Sequence, residues 1–114
     1  MKKSVWLLLA LLFLATGALA HPPSDINASF DASNNYLTVR VTHNSLNPQK
    51  HYIKQVSVSV GDDNLLTQNF KMQFSKKEQI VIFFTPDLKP GTEITINAKC
   101  SWFGEKTKKI LLTK

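Results

Sequence analysis

Glu93-Ile94-Thr95-Ile96-Asn97-Ala98-Lys99-Cys100 alternates cleanly, with Ile94, Ile96, Ala98 and Cys100 on one face and Thr95, Asn97 and Lys99 on the other. A repeat of two is the pattern of a strand with one buried face, because successive side chains point to opposite sides of a sheet. The same repeat recurs outward from this stretch. Leu37, Val39 and Val41 alternate with Thr38, Arg40 and Thr42, and Val56, Val58 and Val60 alternate with Ser57 and Ser59. Ile26, Ala28 and Phe30 repeat in the same way, and residues 65–74, 79–84 and 108–113 supply further strand-like segments. Turn-forming residues at 31–35, 61–64 and 86–91 separate them. Short strands at this spacing, with no helical pattern, predict an all-β fold: an immunoglobulin-like antiparallel β-sandwich of about seven strands. One cysteine in the whole chain excludes the intersheet disulfide of antibody domains.

The first twenty residues read as an addition to this domain. Lys2 and Lys3 precede an apolar run from Val5 to Leu14, and Ala18-Leu19-Ala20 is a small-x-small cleavage site. That order is the pattern of a secretory signal peptide, and the run is shorter than the roughly 18–20 residues that cross a bilayer. The expectation is cleavage near Ala20-His21, a periplasmic or secreted location, and no membrane association afterwards. Residues 21–114 then form one small domain. The formal net charge is +6, of which Lys2 and Lys3 contribute two. The other lysines are scattered, with short groups only at Lys76-Lys77 and Lys106-Lys108-Lys109. Without a basic run interleaved with exposed aromatics, nucleic acid is not an expected partner, while small anions are. Asp62-Asp63-Asn64 lacks the glycine and distal glutamate of a calcium loop and reads as a β-turn. The serines show no nucleophile-elbow context.

Cys100 is the residue that needs an explanation. Exported proteins normally hold cysteines as disulfides, and a single thiol is a packed apolar residue, an intermolecular link or a thiolate with a chemical role. His43 continues the inward parity of its strand beyond Val41, and His51 stands at the start of the next strand. Strands of a sandwich end at two poles, so His43, His51 and Cys100 are expected to meet at one of them. Two imidazoles and a thiolate suit iron, copper or zinc. The bland alternative is two loop histidines and a small buried cysteine. His21 is a fourth candidate, because an N-terminal histidine offers its α-amino group together with its ring, a chelating pair for copper(II).

The segment from His43 through Asn44-Ser45-Leu46-Asn47-Pro48-Gln49-Lys50 to His51-Tyr52-Ile53, followed by Val56-Ser57-Val58-Ser59-Val60-Gly61-Asp62, resembles the superoxide reductase family (desulfoferrodoxin, neelaredoxin). Lys89-Pro90-Gly91-Thr92 leading to Cys100 is similar to the family's Lys-Pro-Gly segment before its cysteine. The resemblance implies a β-sandwich with one mononuclear non-haem iron that reduces superoxide to hydrogen peroxide with an external electron donor. It further implies that His43 and His51 are equatorial ligands and Cys100 the axial thiolate. The family's Cys-x-x-His-Gly reads Cys100-Ser101-Trp102-Phe103-Gly104 here, so Phe103 stands where a ligand would be. The family's early Glu-Lys-His loop is also missing. The chain's three histidines and one cysteine cannot supply four rings and a thiolate. A variant site is the expectation, with His21 its further ligand and copper or zinc as alternatives to iron. The other reading is a non-enzymatic periplasmic copper-binding protein, or an immunoglobulin-like adaptor with a degenerate site.

Overall fold

A computed structural model of the chain describes residues 22–113. The leader expected at residues 1–20 and His21 lie outside them. The alternating segments become seven strands: β1 (Asp25–Asp31), β2 (Tyr36–Thr42), β3 (Ile53–Val60), β4 (Asp63–Asn69), β5 (Glu78–Phe84), β6 (Glu93–Cys100) and β7 (Glu105–Leu111). All neighbouring strands are antiparallel, in a three-stranded sheet of order β1-β2-β5 and a four-stranded sheet of order β4-β3-β6-β7. β2 pairs with β5 and β3 with β6, so the chain passes repeatedly between the sheets, as in an immunoglobulin-like sandwich. No helix among the described residues is long and apolar enough to cross a membrane.

The inward residues of both sheets make one core. Ile26, Leu37, Val39, Val41, Ile53, Val56, Val58, Ile94, Ile96 and Ala98 are fully buried, closed off by Phe30, Val81, Phe83, Leu88 and Leu112. Each buried valine, leucine or isoleucine contributes about 1.5–3 kcal/mol by leaving water. The strand β6 carries the pattern that predicts it, with Ile94, Ile96, Ala98 and Cys100 all buried.

Two strands, β4 and β7, differ in their limits from the expectation. The segment expected at 65–74 begins at Asp63 and ends at Asn69. A tight turn at Gly61-Asp62, with Gly61 at φ 57°, lets β4 start two residues early. Residues 70–77 then leave the sheet edge. The last strand begins at Glu105, three residues before the expectation, because pairing with β6 runs from Lys99↔Glu105 to Glu93↔Leu111. Asn97 supports that start by donating to Glu105 Oε2 at 3.0 Å and to Thr107 Oγ1 at 2.9 Å.

One irregularity sets up the site. Ile53 pairs with Cys100, but Gln55 pairs with Lys99, so Lys54 is an extra residue in β3. Such a β-bulge reverses the parity of everything before it. Ile53 and Val56, three residues apart, are therefore both buried, and so is His51. Straight alternation back from Val56 would have placed His51 on the polar face.

Candidate metal site

The ends of β2, β3 and β6 that meet at one pole carry the three expected residues. His43 follows β2 directly, and its amide donates to Lys77 O at 2.9 Å, extending the β2–β5 pairing by one residue. The loop to β3 is shaped by Asn47: its carbonyl accepts the amides of Lys50 (3.0 Å) and His51 (2.9 Å), and its side chain accepts the amide of Gln49 (3.1 Å). Ser45 reaches across, donating through its hydroxyl to His51 O. Cys100 closes β6, and its amide donates to Gly104 O at 3.0 Å across a tight turn in which Gly104 has φ 91°. Ser101 and Tyr52 exchange two bonds, Ser101 N to Tyr52 O (2.8 Å) and Tyr52 N to Ser101 Oγ (3.0 Å), locking the Cys100 turn to the start of β3.

His43, His51 and Cys100 converge. Their donor atoms all lie within 4.8 Å of one another, and all three residues are buried. His51 Nε2 is 3.1 Å from Cys100 Sγ, and the rings of His43 and His51 meet edge-on with centroids 4.7 Å apart. Ligands about 2.0–2.3 Å from a four-coordinate ion stand about 3.5 Å from each other. His51 Nε2 and Cys100 Sγ already stand slightly closer than that figure, while the widest of the three separations, at most 4.8 Å, would contract by about 1 Å on binding. Two imidazoles and a sulfur at this distance could hold a metal ion.

Gln73, which sequence reasoning placed inside a strand, fixes the first of these rings. It is 1% exposed, and its Nε2 donates to His43 O (2.7 Å) and Ser75 O (2.8 Å). Those two carbonyls settle the amide's orientation, so its oxygen faces the ring and accepts from Ile53 N (3.2 Å). That oxygen is 2.8 Å from His43 Nδ1, which must therefore carry the proton and donate. The remaining ring nitrogen, Nε2, then holds the lone pair a metal would use. A carbonyl oxygen that sets a ligand's tautomer and orientation is a common support of metal-binding histidine. The only sequence signal was a polar glutamine between Met72 and Phe74, and it pointed nowhere in particular.

Trp102 lies flat over His51, with ring centroids 4.0 Å apart and planes 7° from parallel, and its indole N–H donates to Lys50 O at 3.1 Å. Phe103 is 68% exposed. On one side of Trp102 a groove of about 530 Å³ is lined by His51, Leu46, Lys76 and Lys77. On the other side an open depression of about 360 Å³ runs past Cys100, Lys54 and Lys99. Lysines thus border the cluster on both sides, with Glu105 also lining the second depression.

His21 lies outside the described residues. Pro22, the next residue, packs against the same loop: a Cβ added at Gly104 would stand 3.0 Å from the Pro22 Cα and nitrogen. The described chain therefore enters the fold beside the Cys100 turn. Compared with protein-family models, with curated proteins and with solved structures, the chain matches none. The resemblance to superoxide reductases rests on the quoted residues alone.

Proposed function

We propose that this is a mononuclear metal protein in which His43 Nε2, His51 Nε2 and Cys100 Sγ hold one transition-metal ion for one-electron chemistry. The observation that carries the reading is the buried convergence of three donors from three strand ends, with Gln73 presetting the tautomer of one of them. Iron follows from the resemblance to superoxide reductases, and with it reduction of superoxide by an external electron donor. When bound, the ion supplies the one-electron couple. The protein's own residues would do the rest: Gln73 orients His43, Trp102 shields His51 from water, and Lys76 and Lys77 draw an anion toward the groove beside His51. After cleavage at Ala20, the α-amino group and ring of His21 would be a fourth source of donors, delivered by Pro22 to the Cys100 turn.

A second reading, copper binding without catalysis, is favoured by the donor count. Two imidazoles and one thiolate are the set of trigonal copper sites, and they fall short of the five protein ligands of a complete superoxide reductase. Anaerobically purified protein offered ferrous iron, cuprous and cupric copper and zinc in turn separates these readings. One equivalent of iron, with a thiolate-to-metal charge-transfer band, and superoxide consumption that falls in His51→Ala, supports the first. Selective copper uptake with superoxide consumption equal in both proteins supports the second. Uptake of none of these metals rejects both and leaves a non-metal adaptor domain.

A further inference from the structure

The sandwich has four edge strands, and three of them are defended. β1 carries Asp25 and Asp31, β4 carries Asp63, and β7 carries Glu105, Lys106, Lys108 and Lys109. Charges of this kind prevent an edge from pairing with another chain. β5 differs: its one charge, Glu78 at its first residue, is paired with Arg40 of β2, and from Gln79 to Phe84 it has no charge, proline, glycine or bulge. Its outward face bears Ile80, Ile82 and Phe84, with Ile82 and Phe84 each 62% exposed. Tyr36 of β2 extends this stripe, its ring meeting Phe84 edge-on at 6.1 Å.

The backbone of the same strand is open. Lys77 O accepts from His43 N and Thr85 N donates to Asn35 O, so the odd-numbered residues of β5 turn their peptide groups toward β2. The even-numbered residues turn theirs to the free edge. Ser75 occupies the groups of Glu78, and Gln79 Nε2 donates to Ile80 O at 3.0 Å. The peptide groups of Ile82 and Phe84 and the amide of Ile80 face outward with no strand beside them among the described residues.

We infer that β5 is a self-association edge, on which a second copy of this chain pairs antiparallel about a two-fold axis at Ile82. Parity permits this register, because residues exposing peptide groups to the edge then oppose one another. Ile82 meets Ile82 of the second copy, and Ile80 meets Phe84, so both pairs on the outward face are apolar. The Ile80 carbonyl keeps its bond to Gln79 and accepts the Phe84 amide on its second lone pair. The two three-stranded sheets become one of six, with isologous contacts as two-fold symmetry requires.

Sedimentation velocity of the purified protein over a concentration series tests this, and a dimer is expected. Ile82→Lys replaces an exposed side chain and should weaken dimerisation at least about tenfold with an unchanged circular dichroism spectrum. In a Cys100→Ala background, Ile82→Cys should oxidise to a disulfide-linked dimer, since directly opposed hydrogen-bonded residues lie about 5.5 Å apart at Cα, within disulfide reach. Thr38→Cys, on the same face but one strand inward, should not. A monomer at all concentrations, a dimer indifferent to Ile82→Lys, or equal cross-linking at positions 38 and 82 would each overturn the inference.

Discussion

The two poles of the sandwich are built on opposite principles. At the pole where β1 ends and β2 begins, two connections are short turns: Asp31 ties back the amides of Ser33 and Asn34, Asn35 adopts φ 61°, and Gly61 closes the β3–β4 turn. These are local solutions that any hairpin needs. At the other pole two connections, 43–52 and 70–77, are long, and His43, Ser45, His51, Gln73 and Gln79 are buried there, against Thr85 alone among buried polar residues at the first. Burying a polar side chain is unfavourable unless it is hydrogen-bonded. A domain that needed only to fold would have no reason to gather them with its one cysteine. The contrast separates what the fold requires from what a site requires.

Substitutions should divide along the same line. Cys100→Ala at the ligand pole should reduce metal affinity the most, at least about 100-fold by equilibrium dialysis, because no other thiolate is available to replace it. Gln73→Leu should lower affinity about 10- to 100-fold by freeing the His43 ring. It should also destabilise the fold by about 2–4 kcal/mol in urea titrations, since His43 O, Ser75 O and Ile53 N lose their buried partner. Gly61→Ala, at the opposite pole, should cost about 1 kcal/mol through its left-handed backbone and leave metal uptake unchanged. A large loss of affinity from this turn would break the comparison. Trp102→Ala removes the stack on His51 and should lower affinity only a few-fold, with about 0.5–1.5 kcal/mol of stacking at stake.

The smallest effect concerns acid. The Asn34 side chain, together with the backbone amides of Asn34 and Ser33, holds the Asp31 carboxyl below its ordinary value of 3.8. A depressed folded-state pKa contributes stability above the unfolded value, and that contribution disappears as pH falls through the lowered one. Denaturation midpoints for Asp31→Asn should therefore fall less than those of the parent between about pH 5 and about pH 3. Metal uptake at neutral pH should be equal in the two proteins.

The sandwich was legible because its core strands alternate, and β6 even delivers Cys100 to the correct face by parity alone. The triad was legible in composition and order, although its geometry was not fully so. His51 reaches the interior only because the bulge at Lys54 reverses the alternation, and nothing in Lys54-Gln55 announces a bulge. Gln73 was invisible for a related reason. Its role depends on residues 70–77 leaving the sheet and folding over His43, a tertiary event with no period to read. Phe103 stands where the resemblance calls for a histidine and offers no donor atom, while its neighbour Trp102 covers His51. The β5 edge was read as an ordinary strand, and its exposed face emerges only once β2 is seen on one side and nothing on the other.

Metal content decides the central claim most directly. Protein purified without oxygen, loaded separately with iron, copper and zinc and then desalted, should retain one equivalent of at least one metal by elemental analysis, and Cys100→Ala should retain none. Retention of no metal by the parent, or equal retention by the two proteins, would contradict a site built on His43, His51 and Cys100.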